Sequence, residues 1–127
     1  MADIRVACSY IYKKIKEFIL SQQSPRNNKD YPLDRIGAIL SMNRALWGEV
    51  SPVLRAARIK WDEKQVHLFF YYDGEISEED RESAECVATE VIADFPELQL
   101  EIDILRWDYP KPLPQNEGEL VYKRREP

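Results

Sequence analysis

The chain has 127 residues, of which 44% are hydrophobic and 11% aromatic, which indicates one folded domain and excludes a disordered tail. Its formal net charge of −5 argues against general nucleic-acid binding, because contacts to phosphates dominate that affinity. The two cysteines, Cys8 and Cys86, are too few for a disulfide framework or a zinc site, and each is expected to be a free thiol on a helix.

No segment is apolar for long enough to predict a membrane span, and the first residues lack the apolar core of a secretory signal. The sequence therefore predicts a cytoplasmic protein without a membrane partner. We expect a single domain over residues 1–127, made of an N-terminal helix in residues 1–23 and an α+β body in residues 33–126.

Charge is distributed unevenly along the chain. Residues 1–72 hold 12 basic and 7 acidic side chains (+5), residues 73–108 hold 2 and 13 (−11), and residues 109–127 hold 4 and 3 (+1). A segment this acidic favours a basic partner molecule.

Two helices are predicted before the first strand. Apolar residues recur every three or four positions in residues 3–22, which is the pattern of an amphipathic helix. The Ser-, Pro- and Asn-rich residues 24–32 predict a loop. A second helix is predicted over about 33–48, with apolar residues in helical period and Gly48 at its end; these apolar residues are Leu33, Ile36, Ile39, Leu40, Leu46 and Trp47.

Residues 54–61 and 65–72 predict two strands joined by a short hairpin turn at residues 62–64. The second strand, QVHLFFYY, is apolar or aromatic on both faces. It is therefore expected to be a central strand covered on both sides, unless one aromatic face forms an interface.

The clearest amphipathic pattern predicts a helix that starts after Ser77 and stops before Pro96. Ser77 is a favoured N-cap, and Asp80 stands where the acid of a capping box would stand. The apolar stripe of this helix has the spacing 0, 3, 4, 7, 8 and 11, and consists of Ala84, Val87, Ala88, Val91, Ile92 and Phe95.

Two more strands complete the prediction. Residues 98–107 alternate between apolar and polar, as a half-exposed strand does, and residues 119–126 form a short final strand after a proline-rich loop. The order α-α-β-β-α-β-β predicts an α+β fold with a mainly antiparallel four-stranded sheet and about three helices.

No motif predicts catalysis, a cofactor or a metal site. The chain has a single histidine, His67, which is expected to be a hydrogen-bonded structural residue. The acidic segment lacks the ligand spacing of a calcium loop, and four glycines leave no phosphate-binding loop. We expect a non-enzyme, and keep an enzyme with exposed carboxylates as a weaker alternative.

The acidic segment, residues 73–94, holds nine carboxylates and one arginine. A helical wheel places most of the glutamates away from the apolar stripe, where like charges three or four residues apart repel each other. The segment is either an ordinary solvated face or a docking surface for a cationic partner. The carboxylates predicted to bind the partner are Asp73, Glu75, Glu78, Glu79, Glu82, Glu85, Glu90, Glu101 and Asp103. Cys86 falls near the middle of the same outer face, and its part in the contact stays open.

A nuclease is one kind of basic partner, because its active site must be positive to hold phosphate. An acidic protein can occupy such a site, with aromatic side chains as anchors. The candidate anchors are Tyr71, Tyr72, Trp107 and Tyr109, and the alternative for each is packing in the core or at its rim.

The sequence resembles a group of small bacterial proteins encoded beside polymorphic toxins, the immunity proteins of the contact-dependent growth inhibition kind. The resemblance covers about residues 33–126 and lies in the runs LWGEVSPVLRAARIKW, FFYYDGEISEEDRESAECVATEVIADFP and LRWDYPKPLPQNEGELVYKRRE. It implies a cytoplasmic antitoxin that binds and neutralises a cognate toxin domain, often a nuclease. It carries over no site residue. The alternative is a non-enzymatic adaptor that docks a basic protein; the oligomeric state stays open.

Overall fold

A computed structural model describes residues 34–127, which form a four-stranded sheet with two helices on one face. The predicted N-terminal helix in residues 1–23 lies outside the described residues. The helices are α1 (Arg35–Ala45) and α2 (Glu78–Asp94), and the strands are β1 (Leu54–Trp61), β2 (Gln65–Tyr72), β3 (Gln99–Arg106) and β4 (Glu119–Lys123).

The sheet is mixed, with strand order β3-β2-β1-β4. Strand β1 pairs antiparallel with β2 and with β4, whereas β2 and β3 pair parallel. The α+β class and the four strands are confirmed, but the mainly antiparallel sheet that was predicted has one parallel pair. The reason is helix α2, which carries the chain back across the sheet so that β3 runs in the direction of β2.

Both helices begin at side-chain caps. The Asp34 carboxylate accepts a hydrogen bond from the Gly37 amide at 2.6 Å, ahead of α1. The Ser77 hydroxyl accepts one from the Asp80 amide at 3.0 Å and donates one to the Asp80 carboxylate at 2.9 Å. The predicted start of α2 is therefore confirmed, and the helix ends at Asp94, just before Pro96.

The main core lies between the sheet and the helices. Helix α1 packs on β1 and β4, and helix α2 packs on β2 and β3. The alternation of strand side chains sends every second residue into this core. Its largest fully buried members are Met42, Leu54, Ile59, Val66, Leu68, Phe70, Tyr72, Val87, Val91 and Ile92.

Helix α1 packs through a different face from the one its apolar residues predicted. Its buried residues are Ala38, Ser41, Met42 and Ala45. Ile36, Leu40 and Trp47, which were expected to face the core, are 68%, 56% and 77% exposed. Three of these four buried side chains, Ala38, Ser41 and Ala45, are small, which allows α1 to approach the sheet and α2 closely and leaves larger apolar residues outside.

A second, smaller cluster covers the outer face of the sheet, meaning the face away from the helices. Ala56, Phe69 and Tyr71 are buried there against Leu105, Trp107 and Leu113. Strand β2 is therefore apolar on both faces and covered on both, as its sequence predicted. The loop of residues 107–118 supplies this cover.

Candidate functional site

Four carboxylates of the acidic segment and of strand β3 are exposed and form no hydrogen bond or ion pair with any of residues 34–127. Glu75 lies just before α2, Glu78 and Glu85 lie on α2, and Glu101 lies on β3. We call these four side chains the acidic edge. All four were predicted to bind the partner.

The helical wheel places the two helical members of the acidic edge, Glu78 and Glu85, on the side of α2 that faces the β3 edge of the sheet. Asp94 faces α1, because it accepts hydrogen bonds from Ser41 at 2.6 Å and Arg44 at 3.3 Å. Glu85 precedes Asp94 by nine residues, which is about 180° around the helix at 100° per residue. Glu78 and Glu85 therefore point away from α1, toward the edge of the sheet that β3 forms.

The other predicted glutamates of α2 lie nearer its outward side. Glu79 is exposed, whereas Glu82 and Glu90 are half-buried. Cys86, which the helical wheel also placed on that side, is buried, with 2% exposure, and belongs to no disulfide. Cys86 therefore offers no accessible atom to a partner.

Two of the predicted aspartates are used within the fold. Asp73 forms an ion pair with Arg124 at 2.7 Å and accepts a hydrogen bond from the Tyr109 amide at 3.1 Å. These hydrogen bonds, the one from Arg124 first, lower the pKa of the Asp73 carboxyl below its ordinary value. Asp73 thus fastens the 107–118 loop to the C-terminal strand.

Asp103 contacts the single histidine on the outer face of the sheet. The His67 Nε2 lies 2.7 Å from an Asp103 carboxylate oxygen, and the imidazole stacks on Phe69 with ring centroids 4.1 Å apart. His67 is thus hydrogen-bonded within the sheet, as a structural histidine would be. Asp103 and Glu101 face away from α2, so the predicted carboxylates occupy two faces that meet at β3.

Two of the four predicted aromatic anchors are buried, and the expectation that they reach a partner was wrong. Tyr72 is 1% exposed and donates a hydrogen bond to the Asp80 carbonyl at 3.2 Å in the main core. Tyr71 is 0% exposed and packs edge-to-face on Trp107 at 5.8 Å. Both tyrosines lie at the end of β2, where the strand stays paired on both sides through Tyr72, so they take the core packing that was predicted as the alternative.

Trp107 and Tyr109 remain at least partly accessible. Trp107 is half-buried, and its indole donates a hydrogen bond to the Pro112 carbonyl at 2.9 Å. Tyr109 is 40% exposed, and its ring lies 5.6 Å from the Arg55 guanidinium. Tyr109 is therefore the predicted anchor with the most surface available to a partner.

The sequence interpretation missed a concave surface on the outer face. A groove of about 770 Å³ lies beside β1 and β4, and its lining includes Arg58, Leu120, Lys123 and Arg125. The signal in the sequence was the pair of arginines in the strand LRAARIKW, because a charged residue that alternates with core residues in a strand must find either a partner or a cavity.

No group of three or more potential metal ligands occurs within residues 34–127. In the same part of the chain, no helix has the length and apolarity needed to cross a bilayer.

The fold and these surfaces can be compared with known proteins. Residues 35–126 match the model of a family described as MafI2 immunity protein. The class is that of immunity proteins, which are generally non-enzymatic antitoxins that bind and neutralise a cognate toxin. Because the match covers more than half of its length, the chain belongs to the MafI2 immunity protein family. No curated protein is significantly similar to the chain. The resemblance to immunity proteins of bacterial polymorphic toxins, identified from the sequence, is confirmed.

Proposed function

We propose that the chain neutralises its cognate toxin in the cytoplasm by docking the acidic edge on a basic surface of the toxin domain. The observation that carries this proposal is the set of four exposed carboxylates that form no hydrogen bond or ion pair within residues 34–127: Glu75, Glu78, Glu85 and Glu101. Family membership supplies the antitoxin role, and the acidic edge supplies the surface.

A nuclease domain of a contact-dependent growth inhibition system is the toxin that this surface fits best. Nucleases carry positive charge where they bind phosphates. A patch of exposed carboxylates raises the rate of encounter with such a surface through long-range attraction. Charges that are already paired within the fold, such as Asp73 with Arg124, contribute less to this attraction.

The test compares two variants that change the net charge equally at different places. Glu78→Gln with Glu85→Gln raises the charge by two on the acidic edge. Glu63→Lys also raises it by two, at an exposed residue of the β1–β2 turn. Each variant is co-expressed in bacteria with the toxin domain encoded beside the chain, and growth and co-purification are measured.

We expect wild type and E63K to restore growth and to co-purify with the toxin domain. We expect E78Q/E85Q to bind about tenfold more weakly or worse, since two exposed charge pairs are lost from the interface. Full protection by E78Q/E85Q contradicts the acidic-edge proposal. If the wild-type chain binds the toxin domain but changes neither growth nor toxin activity, the adaptor role is indicated instead.

A further inference from the structure

The groove on the outer face contains a buried arginine whose side chain is only partly satisfied. Arg58 of β1 is 7% exposed, and its Nη1 donates one hydrogen bond, to the Gly118 carbonyl at 3.1 Å. The Nε of Arg58 is buried and has no hydrogen-bond partner. No carboxylate lies within ion-pair distance of this guanidinium among the residues described.

A buried charge without a counter-charge is costly, because burial removes the water that would otherwise solvate it. The neighbouring Arg55 shows how the fold stabilises a buried guanidinium with a carboxylate and carbonyls of its own chain. Arg55 is 2% exposed, pairs with the Glu126 carboxylate at 2.7 and 3.0 Å, and donates to two backbone carbonyls. Arg58 lines the same groove without any of these carboxylate contacts.

The mouth of the groove is also positive. Lys123 and Arg125 line it, are exposed, and form no ion pair with any described residue. Among the described residues that line the groove, Glu126 has the only acidic side chain, and it is paired with Arg55 and Arg124. Of the four positive side chains that line this concavity, three form no ion pair with any described residue, although the chain as a whole carries a net charge of −5.

The apolar part of the lining limits what the groove can hold. Leu113, Leu120, Pro110 and Pro112 form much of its wall, and Leu120 is 43% exposed. A protein side chain with its flanking apolar residues fits such a wall, whereas a nucleic-acid backbone requires a row of cations along its length.

We propose that this groove binds a carboxylate side chain of the toxin domain, with Arg58 as the buried ligand and Lys123 and Arg125 at the mouth. The guanidinium of Arg58 has donors beyond the one bonded to Gly118, and a carboxylate accepts such donors in a charge-assisted hydrogen bond. This inference rests on the proposed function for the identity of the partner. It concerns a second binding surface, whose charge is opposite to that of the acidic edge.

One toxin domain can reach both surfaces. Glu101 and Arg58 both lie on the outer face, on strands β3 and β1, which are separated only by β2. Two strand spacings are roughly 10 Å. A toxin surface with a basic patch beside one protruding acidic residue would therefore complement this face in a single orientation.

The test measures binding of the purified toxin domain by calorimetry with two charge-matched double variants. Lys123→Glu with Arg125→Glu reverses the mouth of the groove, and Lys60→Glu with Lys64→Glu reverses two exposed lysines outside it. We expect the groove variant to bind at least about tenfold more weakly, and the control variant to bind within about threefold of wild type.

The role of Arg58 is tested with a double-mutant cycle. Arg58→Met, whose fold is checked by circular dichroism, is combined with replacement of each toxin Asp and Glu by Ala. We expect one toxin replacement to weaken binding to the wild-type chain without weakening binding to R58M any further, as expected for two members of one contact. If R58M does not fold, the same cycle is run with K123E/R125E, whose replaced side chains are exposed.

Wild-type affinity in K123E/R125E, with binding lost in E78Q/E85Q, overturns the groove assignment and leaves the acidic-edge proposal standing. Absence of any wild-type complex overturns both. Groove-dependent binding of a fluorescent single-stranded oligonucleotide identifies the groove as a phosphate site and overturns the carboxylate assignment.

Discussion

Arg55 is a buried charge that joins three segments of the chain. From strand β1 it donates hydrogen bonds to the Trp107 and Lys111 carbonyls at 2.8 and 2.9 Å, and it pairs with the Glu126 carboxylate. Arg124 shares Glu126 and also pairs with Asp73. The 107–118 loop, which covers the outer face, is thus fixed by guanidinium groups as well as by its apolar contacts.

Glu126 makes the stability of this arrangement depend on pH. The hydrogen bonds from Arg55 and then Arg124 lower the pKa of the Glu126 carboxyl from its usual 4.5 to about 2. Because the folded pKa lies below the unfolded one, the stabilisation is fully present above about pH 4.5 and is lost as the pH falls toward about 2. We expect Glu126→Gln to lower Tm by several degrees at neutral pH and to approach wild type near pH 2.5.

Thermal unfolding of wild type and E126Q across this pH range checks the prediction. Glu63→Gln is the control, because Glu63 is an exposed turn residue without an ion-pair partner among the described residues, and it should follow wild type throughout. A Tm difference between wild type and E126Q that stays constant from neutral to acidic pH would show that the ion pair is not its cause.

At the level of elements, the turn into β4 depends on a glycine. Gly118 has φ of 73°, and a Cβ at this residue would lie 2.3 Å from the Ile59 carbonyl oxygen of β1. The same glycine supplies the carbonyl that holds Arg58. The close approach of the two strands therefore leaves no space for any side chain at this position.

Gly118→Ala should lower the free energy of unfolding by about 3 kcal/mol or more, because it adds a clash with backbone to the strain of a positive φ. Gly48 offers a matched control. It has φ of 77° and nothing within 4 Å of the added Cβ, so Gly48→Ala should cost only about 1–2 kcal/mol. Urea unfolding measures both, and equal losses would refute the steric explanation.

The elements also show how far local patterns predict this fold. Both strands of the hairpin were predicted with their observed bounds, and α2 began at its predicted cap, because period and capping are local properties. The parallel pairing of β2 with β3 was missed because strand direction depends on the path of the intervening helix. For α1, the apolar pattern selected the wrong face, since small residues such as Ala38 and Ala45 set how closely it packs.

For the candidate site, too, local features were predicted from the sequence, whereas features that depend on the fold were missed. The sequence identified the acidic segment, but only the fold separates open carboxylates such as Glu85 from those paired internally, such as Asp73. Tyr71 and Tyr72 looked like anchors because they end an aromatic run, yet pairing on both sides of β2 buries them. The Arg58 groove arises from strands and a loop distant in sequence, so no local pattern could place it.

At the scale of the whole molecule, charge is segregated in space as well as in sequence. The acidic edge lies along α2 and β3, and the positive groove lies at β1 and β4. Such a separation orients a partner more strongly than a uniform charge of −5 would. If both proposed surfaces bind the toxin, this arrangement adds specificity, because a toxin with a different charge pattern would meet like charges on at least one surface.

Calorimetric titration of the purified chain with its cognate toxin domain, from about 50 to 500 mM salt, tests the central claim most directly. We predict a stoichiometric complex whose affinity falls steeply with salt, and a shallower dependence for E78Q/E85Q than for the charge-matched E63K. A complex that is indifferent to salt and unchanged in E78Q/E85Q would contradict recognition through the acidic edge, and the absence of any complex would contradict direct neutralisation of that toxin.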